Sequence, residues 1–220
     1  MPENHPIKPL LDTIFSSSRA TFNLGTLKEA GFNKTTPRPF TKLLVTTHPS
    51  VPGYVFKLYL DVQRFHKDKI EAFYWLLRCQ GAENIRKMIV KKRLEHFFKV
   101  PRKWIYKLPK TPAPAEGYYK KSYILVEENM EIFAEKDNYA LWSSNFVTCE
   151  QLHGLYDIVT ELGLTDCLKP DNIPFSIDGK IAFIDTQSFD SKVDIKTLMP
   201  FLSKTNQLHW DELINSFHAK

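Results

Sequence analysis

The run Leu168-Lys169-Pro170-Asp171-Asn172-Ile173-Pro174-Phe175-Ser176-Ile177-Asp178-Gly179-Lys180-Ile181-Ala182-Phe183-Ile184-Asp185 constrains this chain more than any other. Asp178-Gly179 is a two-residue hairpin signal between apolar, strand-like stretches. A type I′ turn there pairs Ile177 with Lys180, and each step outward keeps the pairing until Asn172 faces Asp185. Directly opposed side chains have Cβ atoms roughly 4.5–5.5 Å apart. A neutral carbonyl oxygen and a carboxylate are therefore expected side by side on one ribbon. Such oxygens suit a hard cation such as Mg²⁺, which takes few protein ligands and leaves positions for phosphate. The alternative is that Asn172 opens a strand and Asp185 closes one with no ion, since both residue types favour strand boundaries.

The chain has 220 residues and a 43% hydrophobic content, enough for one domain or one unit of two lobes with a real core. The net charge of +5 is modest. Lys and Arg crowd Lys87 to Lys103, but Glu95 and apolar residues interrupt them, so a solvated helix face is expected and no nucleic-acid partner. Cys79, Cys149 and Cys167 are odd in number and lack metal-ligand spacing, which suits a reducing compartment. No apolar run approaches the roughly 18 residues of a membrane span, and the N-terminus lacks the basic-then-apolar order of a cleaved signal peptide. The expected location is cytoplasmic, or a reducing compartment reached by secretion without such a peptide.

The first forty residues read as a partly irregular leader with one short helix, Leu10 to Phe15. Strands are expected at Thr41 to Thr47, Tyr54 to Leu60, Lys103 to Leu108 and Ser122 to Glu127, all rich in β-branched, aromatic or leucine residues. Asp61 to Gln80 reads as a helix with Val62, Phe65, Ile70, Phe73 and Leu77 close to one face and Gly81 as its stop; a second helix follows from Ala82 to Phe98. Asp137 to Phe146 has no clear pattern. Thr148 to Leu162 is a helix with a Thr148/Gln151 capping box and Gly163 as C-cap. Further helices are expected at Val193 to Leu202 and Trp210 to Phe217. Strands, helices, strands, helix, hairpin and helices in that order make an α+β chain.

Lys169-Pro170-Asp171-Asn172-Ile173 resembles the Lys-Pro-Glu-Asn-Ile of protein-kinase catalytic loops, and Ile181-Ala182-Phe183-Ile184-Asp185 is similar to the strand ending in the kinase metal-binding Asp. Upstream, Tyr54-Val55-Phe56-Lys57-Leu58 is similar to the strand that carries the phosphate-pairing Lys, and Ile124-Leu125-Val126-Glu127-Glu128 to the strand and hinge beneath an adenine ring. The resemblance covers about Lys42 to Phe189. It implies a bilobal, kinase-like fold, with an antiparallel-sheet N-lobe at 41–126 after the leader at 1–40 and a short, mainly helical C-lobe at 127–220.

It also implies ATP and Mg²⁺ as cofactors. Lys57 contacts phosphate, Glu71 supports it (Glu83 is the rival), and Val126, Glu127 and Glu128 lie near adenine. Asn172 and Asp185 bind metal, and Asp166 is the catalytic base. Phosphoryl transfer is mostly positioning and charge neutralisation, which these residue types supply. His153 is expected to be structural.

The chain also departs from the family. Gly53 is alone between the first two strands, so no Gly-rich loop is present. Thr186-Gln187 follows Asp185 where the family has Phe-Gly. The place five residues before Asn172, where the family has its catalytic Asp, holds Cys167, and Asp166 reaches the position only through a one-residue bulge. Three functions follow: a divergent kinase moving phosphate from ATP to a protein hydroxyl, a pseudokinase acting as an interaction module for a protein partner, or a small-molecule phosphotransferase.

Overall fold

Alternation of side chains along extended segments builds the first half of the fold. In the computed structural model, which describes residues 1–38, 41–64 and 70–218, β1 (Leu44–Thr46), β2 (Tyr54–Leu58), β4 (Lys103–Lys107) and β5 (Tyr123–Glu128) form an antiparallel sheet in the order β1-β2-β5-β4. The register sets Phe56 opposite Val126 and Lys57 opposite Leu125, and on the far side Lys103 opposite Glu127. Because neighbours on a strand point to opposite faces, Leu44, Phe56, Leu58, Tyr106, Ile124 and Val126 fall on one face and are buried there.

That face is covered by the segment expected to be an irregular leader. It contains α1 (Lys8–Ser17) and α2 (Leu24–Glu29), and Leu11, Phe15, Leu27 and Phe32 belong to the same core as the sheet. Asn23 caps α2 reciprocally with Thr26, a box the sequence reading missed because Thr stands where Glu or Gln is usual. Asp61, fully buried, takes two hydrogen bonds from Arg19 at 2.7 and 2.9 Å, one from Thr21 and one from the Lys121 backbone. The leader is thus part of a compact unit made of residues 1–76 and 103–129.

The second compact unit comprises residues 77–102 and 130–220, so both of its boundaries differ from the expected division near 126. Its core gathers Ile85 and Ile89 of α3 (Glu71–Lys92), Leu152, Leu155 and Val159 of α5 (Cys149–Leu162), Phe175, Phe183 and Trp210. The two helices expected on either side of Gly81 are one continuous α3 with Gly81 in its interior. The capping box of α5 and its left-handed Gly163 cap are as expected. β3 (Phe98–Lys99) pairs in parallel with β6 (Ile181–Ala182). The undetermined stretch holds α4 (Glu135–Trp142); a 3-10 helix spans Ile195–Phe201, and α6 (Lys204–His218) follows. The expected first-helix position Phe65 lies outside the described residues. Among the described residues no helix is long and apolar enough to cross a membrane.

Candidate functional site

The Asp178-Gly179 hairpin forms, but with a three-residue loop. The Gly179 N–H donates to the Ser176 carbonyl at 2.8 Å and the Ser176 N–H to the Lys180 carbonyl at 2.9 Å. A type I′ turn requires positive φ at both central residues; here φ is positive at Gly179 (79°) and not at Asp178. The Ser176 hydroxyl bonds Asp178 Oδ1 at 2.5 Å and the Lys180 carbonyl at 2.8 Å, and Lys99 Nζ lies 3.1 Å from Asp178 Oδ2. These contacts favour the longer loop.

The register consequently moves by one. Phe175 bridges Ile181, and the Ile184 N–H donates to the Asn172 carbonyl at 3.1 Å. Asn172 faces Ile184, and the expected Asn172–Asp185 opposition is not present.

What each side chain does follows from this register. Asn172 Nδ2 donates to the Asp166 carbonyl at 2.8 Å, which fixes which end of the amide is oxygen-bearing and turns Oδ1 away from that bond. Asp166 is exposed, and its Oδ2 accepts a 2.7 Å hydrogen bond from Ser188 Oγ. Cys167 is buried at 1% exposure within the apolar core, its thiol directed at the Asp185 carbonyl 3.2 Å away. Of the two residues competing for the base position, Asp166 therefore presents its side chain to solvent and Cys167 does not. Asp185 Oδ1 pairs with Arg78 Nη1 of α3 at 2.5 Å.

Directly after Asp185, Thr186 is buried and its hydroxyl donates to the Arg78 carbonyl at 2.6 Å. A Cβ on Gly81 would come within 1.8 Å of the Thr186 carbonyl oxygen. Gly81 is therefore a place of close backbone approach inside α3 and not its end.

Sequence reasoning missed the support beneath the loop. Asn138, 1% exposed, donates to the Pro170 carbonyl at 2.7 Å and accepts from the Phe175 N–H at 2.9 Å. Trp142, one turn later on α4, donates to the Ile173 carbonyl at 3.2 Å. A buried-type aromatic four residues after an Asn was the available signal. Asp171 Oδ1 is buried without a hydrogen-bond partner among the described residues. Its charge and that of Glu135 add to burial in raising the Tyr139 hydroxyl above its ordinary pKa.

In the first unit, Lys57, Glu127 and Lys103 share the sheet face opposite α1 and α2. Lys57 Nζ lies 2.8 Å from Glu127 Oε1, and Lys103 Nζ 2.9 Å from Oε2, with all three side chains 7% exposed or less. Burial acts to raise the Glu127 pKa, but the ammonium groups of Lys103 and Lys57 outweigh it and hold the carboxyl below the ordinary carboxylate value. Glu71, expected beside Lys57, accepts the Ser122 backbone N–H at 2.6 Å. Its carboxylate opposes the burial that lowers Lys121. Val126 packs in the core on the other face and Glu128 stands opposite Tyr54. The rival Glu83 pairs with Arg86.

His153 lines a groove of about 560 Å³ on the second unit with Lys92, Phe97, Cys149, Glu150 and Asp157. Its ring lies 4.9 Å from that of His209.

The oxygen types of the expected cation pair are present, but Asn172 does not face Asp185 and Arg78 already pairs with that carboxylate. Asn172 Oδ1 and the Asp185 carboxylate are oxygen ligands of the kind Mg²⁺ takes, one or two per ion. Among the described residues no three His, Cys, Asp or Glu side chains gather as a metal site. No protein-family model matches the chain and no curated protein matches it.

Proposed function

We propose that this protein is a divergent kinase-like protein that binds a nucleoside triphosphate with a divalent cation and transfers its terminal phosphoryl group to a hydroxyl. Side chains within each unit, taken separately, suit parts of that chemistry. In the first, Lys57 is held by Glu127 and thereby keeps a compact positive charge in a defined position on the sheet face. In protein kinases a Lys held by a Glu contacts phosphate; here the supporting carboxylate comes from β5 and not from the helix.

In the second, Asp166, Asn172 and Asp185 are carried by one loop and one hairpin. The observation that carries the reading is the Asn172 Nδ2 bond to the Asp166 carbonyl, because it ties the amide offered to a cation to the residue that bears the base. Asn172 and Asp185 would hold Mg²⁺, which neutralises phosphate charge when bound. Asp166 would accept the acceptor hydroxyl's proton; general bases work within about 2.6–3.2 Å of the proton donor.

A second reading is favoured by Arg78. Its guanidinium already neutralises Asp185, and a cation fixed there competes with a metal ion. In that case the protein is a pseudokinase that presents its surface to a protein partner.

A thermal-shift titration with Mg²⁺ and ATP separates the outcomes. A rise in the wild type that disappears in Asp185→Ala, with the far-UV spectrum unchanged, is the expected result. Absence of any rise with several nucleotides and with Mg²⁺ or Mn²⁺ would remove the nucleotide reading. Binding without transfer to protein or small-molecule hydroxyls would select the interaction module.

A further inference from the structure

We infer that Ser188 accepts the phosphoryl group within its own molecule, with Asp166 taking its proton, an inference that rests on the phosphotransferase reading above. Three hydroxyl side chains lie in the segment after Asp185, and their partners separate them. Thr186 Oγ1 donates to the Arg78 carbonyl and is buried. Ser191 Oγ donates to the Phe189 carbonyl at 3.3 Å. Neither partner can remove a proton. Ser188 Oγ donates to a carboxylate, Asp166 Oδ2, at 2.7 Å, inside the range a general base needs.

The segment that carries Ser188 is held on both sides. Upstream, Thr186 is fastened to α3 through the Arg78 carbonyl. Downstream, the Asp190 N–H donates to the Leu162 carbonyl at 2.9 Å and the Ser191 N–H to the Gly163 carbonyl at 3.2 Å. Asp166 is tied in turn by Asn172 Nδ2 on its carbonyl. Nucleophile and base are thus positioned before any ligand arrives, which is where much of the rate of an intramolecular reaction comes from. Ser188 is also partly exposed, so a triphosphate can approach it.

The chemistry balances without a redox partner. The Ser188 Oγ–P bond forms, the bond from the γ-phosphorus to its bridging oxygen breaks, and the electron pair leaves on the nucleoside diphosphate. The Oγ proton passes to Asp166 Oδ2.

The test uses the full chain, dephosphorylated, with Mg²⁺ and γ-labelled ATP, and tandem mass spectrometry to place the label. Expected are up to one phosphate per chain on Ser188, a fractional rate unchanged on tenfold dilution, and a loss of about 100-fold or more in Asp166→Asn. Ser188→Thr should carry phosphothreonine at the same position, which guards against misreading an unfolded Ser188→Ala. A thermal shift with Mg²⁺ and ATP but no label on Ser188 would overturn the inference and leave nucleotide binding standing. Label confined to other residues or to added acceptors would overturn it and leave phosphotransfer standing. A rate that falls with dilution would overturn the intramolecular route. Neither shift nor label would overturn both readings.

Discussion

Arg78 places a guanidinium nitrogen 2.5 Å from the carboxylate of Asp185. The Arg78 side chain is 8% exposed and that of Asp185 is 31% exposed, so the pair lies where water screens it only in part. Whether Asp185 serves a metal ion depends on how firmly Arg78 keeps it.

Replacing Arg78 with Gln removes the competing charge and retains most of the side-chain volume. A neighbouring unit charge at partial exposure is worth on the order of 1–2 kcal/mol after screening. Mg²⁺-dependent nucleotide binding should tighten about tenfold in Arg78→Gln, read by isothermal titration calorimetry. Weaker binding would count against a metal role for Asp185.

Gly81→Ala sets two effects against each other. Alanine is the better helix former by about 1 kcal/mol, but its Cβ would meet the Thr186 carbonyl oxygen at 1.8 Å. Backbone must move, and overpacking of this kind costs typically 1–3 kcal/mol or more. The net change should be destabilising in urea unfolding, with the environment of Asp185 altered as well. A stabilised Gly81→Ala would show that this approach is not kept in solution.

At the hairpin, Gly179 holds φ at 79°. Gly179→Ala should lose about 1–2 kcal/mol, the left-handed penalty of an L-residue. Gly179→Asn should lose less, because Asn tolerates this region. Equal losses would count against backbone strain as the cause.

Asp61 is the buried anchor of the first unit. Asp61→Ala leaves the 9% exposed Arg19 without its partner and should cost about 3–5 kcal/mol, the usual range for breaking a buried pair from one side. Thermal denaturation should show the loss, and an unchanged midpoint would contradict it.

Glu127 predicts an acid limb. Its folded pKa is below the ordinary 4.5, so its contribution is complete above that value and disappears as pH falls through the lower folded pKa. The stability difference between wild type and Glu127→Gln should be constant above about pH 5 and shrink below pH 4.5. Parallel urea midpoints across that window would remove the ion pair from the account.

Local signals carried far. The strand-type composition of Tyr54–Leu58 and Tyr123–Glu128 and the caps of Cys149–Leu162 were legible because each is decided by residues a few positions apart. The existence of the Asp178-Gly179 hairpin was legible for the same reason. Its register was not, since Asp-Gly fits two loop lengths and the choice is made by Ser176 and by Lys99 from another strand. Gly81 reads as a helix stop until Thr186 is known to pack on it. Lys57 found Glu127, its diagonal neighbour across a strand pair, and that pairing becomes visible only once the strand order is known. Asp166 was legible as a candidate base; Ser188 beside it was not, because its meaning depends on where the chain turns after Asp185.

The chain passes from one unit to the other at residues 76–77, 102–103 and 129–130. During synthesis β2 must wait for β5, its partner in the middle of the sheet, while 77–102 of the other unit is made in between. A fragment starting at Met130 would contain the whole hairpin yet lack both β3, the parallel neighbour of β6, and the guanidinium that faces Asp185. No single cut yields either unit intact and alone, so a gene for the second unit would have to be stitched from two separated stretches.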